Sequence, residues 1–169
     1  MNKLIWLTIA ILAWFFGSGY FAFSESGVNN FLNHWADSTL QGDADAVCAT
    51  ASKDMTFEIN DGTTGRHMQI EGNRDDFCEY VRKTTPLMAK MAGSVHVTRD
   101  EMTIEHKALH WWTAQVTYVE HWTINVGGRV TIETVSEDRV TLVKTFKGVF
   151  VKRLDSESYV ENATQNGST

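Results

Sequence analysis

The chain predicts an α+β fold in which three N-terminal helices pack on an antiparallel sheet with a small hairpin. Three observations carry that expectation. Apolar residues recur at helical spacing in the first half and at strand spacing from residue 94 onward. Turn-forming Gly, Asp and Asn residues fall between those periodic stretches. One stretch, 110–124 (HWWTAQVTYVEHWTI), reads as a long strand with a single apolar face. Trp112, Ala114, Val116, Tyr118, Trp122 and Ile124 lie on that face, and Trp111, Thr113, Gln115, Thr117, His121 and Thr123 lie on the other. The apolar face is expected to be the floor that the helices cover.

The elements follow in order. Val28, Phe31, Leu32, Trp35, Ala36 and Leu40 form the stripe of a first helix ending near Gly42. Asp43 is a suitable N-cap for a short second helix with Ala44, Val47, Cys48 and Ala51 inward. Residues 55–59 read as a strand with Phe57 and Ile59 on one face, turned by Asp61-Gly62 and Gly65 into a second strand, 66–71. Asn73 caps a third helix, Asp75 and Asp76 suit its positive end, and Phe77, Tyr80, Val81 and Thr84 face inward; Pro86 is expected to bend or end it. Strands are expected over 94–106, 110–124, 129–145 with a bulge near 136–138, and 149–154, with Gly127-Gly128 and Lys147-Gly148 as turns. The tail 161–169 lacks large apolar side chains and is expected to be disordered, although Asn162-Ala163-Thr164 and Asn166-Gly167-Ser168 fit the glycosylation pattern.

With 169 residues and 43% hydrophobic content, the chain can bury one core, and a net charge of −6 with no basic stripe argues against a nucleic-acid partner. Residues 4–23 (LIWLTIAILAWFFGSGYFAF) carry no charge and are long enough to span a bilayer. The same stretch also fits a cleaved signal peptide occupying 1–24, with Ala22-Phe23-Ser24 as the cleavage site before Glu25. Lys3 on one side sets the remainder outside the cytoplasm, either inner-membrane-anchored and periplasmic or, if cleaved, periplasmic or secreted. In that oxidising setting Cys48 and Cys78 are either a disulfide or two buried thiols. A bridge closing some thirty residues would stabilise by about 3.5 kcal/mol.

The order of elements, together with particular residues, resembles a known superfamily. Those residues are 35–40 leading into Gly42-Asp43, Asp54-Met55-Thr56-Phe57-Glu58, Gly72, Ala114-Gln115-Val116, and Gly148-Val149-Phe150-Val151. Over about 26–159 the chain is similar to the nuclear transport factor 2-like superfamily, also called SnoaL-like or the cystatin-like cone. The resemblance implies a strongly curved sheet that forms a cone-shaped α+β barrel with the helices and encloses a pocket. Its members include ketosteroid isomerases, dehydratases, polyketide cyclases, dimeric transport adaptors and periplasmic secretion subunits, so the fold leaves function open. Where the isomerases carry a carbonyl-polarising Tyr, this chain has Trp35, and where their catalytic Asp follows Thr-x-Glu, it has Ile59 after Thr56-Phe57-Glu58. Their second acid falls near Val140, with Asp138 two residues earlier on the same face. Losing the base removes about a hundredfold or more of rate, which argues against isomerase chemistry.

Glu120, flanked by Tyr118 and Trp122, is the candidate catalytic residue: a buried carboxyl among aromatics has a raised pKa and suits general acid–base work. The other reading is that a bulge turns it outward. His106 and His110 are four apart, but on a strand that separates them by about 13 Å, so no metal site and no cofactor is expected. Trp35, Phe57, Tyr80, Trp112, Tyr118 and Trp122 are either core or the lining of a pocket for an apolar ligand. An exposed Trp111 on the outer sheet face would suit a homodimer. The expected function is an extracytoplasmic binding domain for a protein partner or an apolar small molecule. The alternatives are a dehydratase, cyclase or isomerase using Glu120 with Tyr118 or a histidine, and an immunity protein for a secreted toxin.

Overall fold

In a computed structural model of the chain, residues 6, 7, 9, 11, 13, 17, 21–63, 67–106, 112–126 and 130–165 are described. The elements are α1 (Glu25–Gln41), α2 (Ala44–Ala49), β1 (Ala51–Asp61), β2 (Met68–Asn73), α3 (Arg74–Met91), β3 (Val95–His106), β4 (Thr113–Val126), β5 (Val130–Thr145) and β6 (Gly148–Gln165). A 3-10 turn, Ala92–Ser94, joins α3 to β3.

The helices begin and end where short polar side chains and glycine satisfy the terminal backbone groups. The Ser24 hydroxyl accepts from the Gly27 N–H at 3.2 Å, and α1 closes on Gly42, whose φ of 82° suits a residue without a Cβ. Asp43 accepts from the Ala46 N–H at 2.9 Å to start α2. Asn73 accepts from the Asp75 N–H at 2.8 Å, while Asp76 accepts from the Asn73 N–H at 3.0 Å, a reciprocal cap for α3. Pro86 does not end α3, which continues to Met91. Thr85 beside it is 1% exposed and Met88 is held in the wall of a cavity, so packing outweighs the roughly 3 kcal/mol an interior proline costs.

The six strands form one sheet in the order β2-β1-β6-β5-β4-β3; every pair is antiparallel except β1 with β6. The sheet is open, with β2 and β3 as its edges, so the cone does not close into a barrel. The last strand does not stop near residue 154: residues 161–165, expected to be disordered, continue β6 and pair with the start of β5, Val130 opposite Gln165. Backbone hydrogen bonding to β5 supplies the order that the polar side chains do not. The register shifts of the β5–β6 pair lie between Glu133 and Thr134 and between Thr141 and Leu142, not at 136–138. Each inserts an extra residue on β6, which adds local twist there.

Phe23, Val28, Leu32, Met55, Phe57, Phe77, Ala114, Val116, Val140, Leu142 and Val151 belong to one core between helices and sheet. The Phe57 ring meets Phe77 edge-on at 5.6 Å, and Trp35 packs on the other side of Phe77. Phe23 is 1% exposed and its ring lies beside His106. A Cβ on Gly27 would come within 2.5 Å of the Phe21 carbonyl oxygen, so glycine is needed for the chain at 21–23 to turn directly onto α1. Phe23 thus packs in the core and Ser24 caps α1.

Among the described residues no helix is long and apolar enough to cross a membrane. Segment 4–23 is described only at scattered positions, so the spanning or signal role expected of it lies outside the described residues, as do Gly65, His110, Trp111, Gly127-Gly128 and Asn166.

Cys48 of α2 and Cys78 of α3 form a disulfide, with Cα atoms 5.2 Å apart and a sequence separation of 30. Replacing Cys78 with Ser is expected to lower stability by about 3.5 kcal/mol. Urea unfolding of the variant without reductant, and of the wild type with reductant, should show the same loss.

Candidate functional site

Strand alternation places every second residue of β4 toward the helices, and the register carries that parity across the sheet. One inward row runs Tyr118, Asp138, Ser156, Ile59 over β4, β5, β6 and β1. The next, two residues along each strand, runs Arg99, Glu120, Ser136, Ser158, Asp61 and reaches from β3 to β1. Trp122 and Thr134 begin a third. The floor is thus apolar toward Ala114 and Val116 and polar in its middle. Trp35, Ala36 and Thr39 of α1 and Tyr80 and Met88 of α3 roof the polar part without filling it, leaving a cavity of about 380 Å³. That is within the range of small-molecule sites.

Glu120 points inward and is 8% exposed. The β4–β5 register runs without a break through it, and the irregularity lies on β3, between Asp100 and Thr103, where Glu101 has φ 52°. Arg99 donates from Nε to Glu120 Oε1 at 3.0 Å and from Nη2 to the same oxygen, while Trp122 Nε1 donates to Oε2 at 3.0 Å. Arg99 Nη1 donates to Asn33 Oδ1 of α1 at 2.9 Å, and the guanidinium lies 5.3 Å from the centre of the Tyr118 ring. Both oxygens of Glu120 are occupied, and the charge of Arg99 is spent on it.

Asp138, one row over, has no cation in contact among the described residues. It is 7% exposed and accepts from the Ser136 hydroxyl at 2.9 Å; that hydroxyl is 3.1 Å from the Ser156 hydroxyl. Burial pushes its pKa up from 3.8 to about 6, with the negative charge of Glu120 adding to the rise and the serine hydroxyls and Arg99 opposing it. Burial also raises Tyr118 well above its ordinary value, helped by Asp138 and Glu120, and raises Tyr80, helped by Asp61. Both phenols remain protonated donors at neutral pH.

Of the residues expected to line a pocket, Trp35, Tyr80, Tyr118 and Trp122 are in the cavity wall. Phe57 lies behind it, buried against Phe77 and Tyr80. Trp112 is not part of it: β4 begins at Thr113, so the inward alternation does not extend to 112, and the indole turns toward Phe146. None of His34, His67, His96, His106 or His121 lines the cavity; His121 lies on the outer face near Asp100 and Glu161. Arg99, Asp61, Ser136, Ser156, Ser158 and, as a site residue, Asp138 escaped the sequence reading. Parity alone points to them: Val97-Thr98-Arg99, Phe57 to Asp61, and Val140 back to Ser136 each keep one face.

Helices over an open, mainly antiparallel six-stranded sheet, with a cavity between them, are the nuclear transport factor 2-like, cystatin-like fold, and solved structures match it. One is a nuclear transport factor 2-like protein with a cystatin-like fold from Novosphingobium aromaticivorans: 15% identity, 86% of this chain and 93% of that chain covered, TM-score 0.54. Another, of unknown function, is from Pseudomonas aeruginosa: 16% identity, 78% and 97% covered, TM-score 0.56. A third is the association domain of C. elegans CaMKII: 14% identity, 78% and 93% covered, TM-score 0.58. At these identities the likeness is one of fold. No protein-family model and no curated protein sequence matches the chain.

Two predictions follow from the two carboxyls. The folded chain keeps the Asp138 proton up to about pH 6, whereas the unfolded chain releases it near 3.8. Its contribution to stability is therefore full below that lower value and is lost as pH rises through 6. Asp138→Asn, which cannot ionise, is expected to be more stable than wild type by about 3 kcal/mol above pH ~7, with the gap closing below pH ~4. Thermal melts across that range measure it. Glu120→Gln strands the Arg99 charge and should cost about 3 kcal/mol, part of which Arg99→Met in the same chain restores. Paired denaturation curves of the single and double variants check this.

Proposed function

We propose that this is an extracytoplasmic, membrane-tethered binding domain whose cone cavity takes a small molecule with an apolar body and a polar group. The observation that carries the reading is the cavity itself: about 380 Å³ of space between four aromatic side chains and a polar floor, beside a continuous apolar core. The Cys48–Cys78 disulfide supports an oxidising compartment. Phe23 and Ser24 support retention of the N-terminal segment, since cleavage before Glu25 removes a core side chain and the cap of α1. Self-association through the outer face of the sheet belongs to the same proposal, supported by the presence of an association domain among the fold neighbours.

Asp138 favours a second reading, a small-molecule enzyme. A carboxyl with pKa about 6 can take or give a proton near neutral pH, with the Tyr118 hydroxyl close by as donor. In that reading Glu120, occupied by Arg99 and Trp122, positions the arginine and the ring beneath it and does not itself move a proton. Asp138→Asn would then lose at least about a hundredfold in turnover while retaining ligand.

Native mass spectrometry of the full chain, extracted gently from its own membranes, tests the first reading. The expected result is a bound small molecule of defined mass, released on denaturation and absent from Ala36→Phe, on a chain whose intact mass includes residues 1–24. An empty cavity with a stoichiometric protein partner would overturn it in favour of a protein-interaction domain, an immunity protein among them.

A further inference from the structure

The chemistry of the cavity wall specifies the charge of what it holds. Trp35, Tyr80, Tyr118 and Trp122 present aromatic side chains from α1, α3 and β4 to one space. Three carboxylates, Asp61, Glu120 and Asp138, line it as well. Arg99 is the one basic side chain among its described lining residues. Its guanidinium donates to Glu120 and Asn33 and lies over Tyr118, so Arg99 and Glu120 cancel and little is left to attract an anion. Among the described residues Asp61, which accepts from the Thr63 N–H and hydroxyl, and Asp138 have no cationic partner; they lie on adjacent rows of the floor two strands apart. The remaining polar groups there, Thr134, Ser136, Ser156 and Ser158, are neutral hydroxyls that reorient to suit whatever enters. Aromatic faces attract cations through their ring quadrupoles, most strongly where water is excluded.

We propose that the cavity ligand is a monocation, an amine or quaternary ammonium carried on an aromatic or otherwise apolar body, with the charge held between the aromatic walls and the Asp138 and Asp61 carboxylates. The inference rests on the small-molecule reading given above. A bound cation also offsets the cost of burying the Asp138 carboxylate alone. Among the described charged groups acting on Asp138, Glu120 favours a cation and Arg99, already paired, opposes it; Asp61 lines the same cavity.

Isothermal titration calorimetry of the full chain above pH ~7 tests this with three probes: benzyltrimethylammonium, its uncharged carbon analogue 2,2-dimethylpropylbenzene, and phenylacetate. The cation is expected to bind at least about tenfold more tightly than either of the others. Asp138→Asn and Asp61→Asn should each weaken the cation severalfold and leave the neutral probe unchanged, and Trp35→Leu should weaken the cation in a chain whose melt remains cooperative. Equal binding of the neutral probe or the anion, or a cation affinity indifferent to both Asn variants, would overturn the assignment. If none of the probes binds while native mass spectrometry shows a bound small molecule, the cation assignment fails and the cavity reading stands. If there is also no bound molecule, both fail.

Discussion

The buried Arg99–Glu120 pair is the interaction on which the shape of the site depends. Taking two charges out of water costs several kcal/mol for each, and here that cost is offset only because nearly every remaining hydrogen-bonding group nearby is used. Arg99 reaches β4 through Glu120 and α1 through Asn33, and covers the Tyr118 ring; Glu120 in turn holds the Trp122 indole. Three elements and two aromatic walls are thereby fixed relative to one another by directional bonds. Apolar packing alone would let Tyr118 and Trp122 collapse into the space between the helices and the sheet.

Two inward carboxyls one row apart have opposite fates because of what stands beside them. Glu120 faces a guanidinium across the β3–β4 register, whereas Asp138 faces a tyrosine on one side and a serine on the other. The first is a fixed charge that organises its neighbours. The second keeps its proton up to about pH 6.

Much of this was legible in the sequence, for identifiable reasons. The N-caps Asp43 and Asn73 and the αL Gly42 are local chemistry, and the inward face of β4 from Ala114 to Ile124 follows from alternation, so those expectations hold. Features set by pairing were not legible. That Arg99 lies opposite Glu120 depends on a register that shifts just beyond it, between Asp100 and Thr103. That 161–165 is strand depends on the backbone of β5 and not on its own side chains. Trp112 was misplaced because alternation says nothing of where a strand starts. The aromatic set could be named from composition and parity, but whether it surrounded space or filled it depended on how far α1 and α3 stand off the floor.

The one parallel seam in the sheet joins its first strand in sequence to its last. β1 has only the six-residue β2 on its other side, so until β6 has been made its inward residues Phe57 and Ile59 lack half of their neighbours. The domain cannot complete itself progressively from the ribosome. Its N-terminal half must wait, with apolar surface uncovered, until β6 has been made, and non-local pairings of this kind are slow to form.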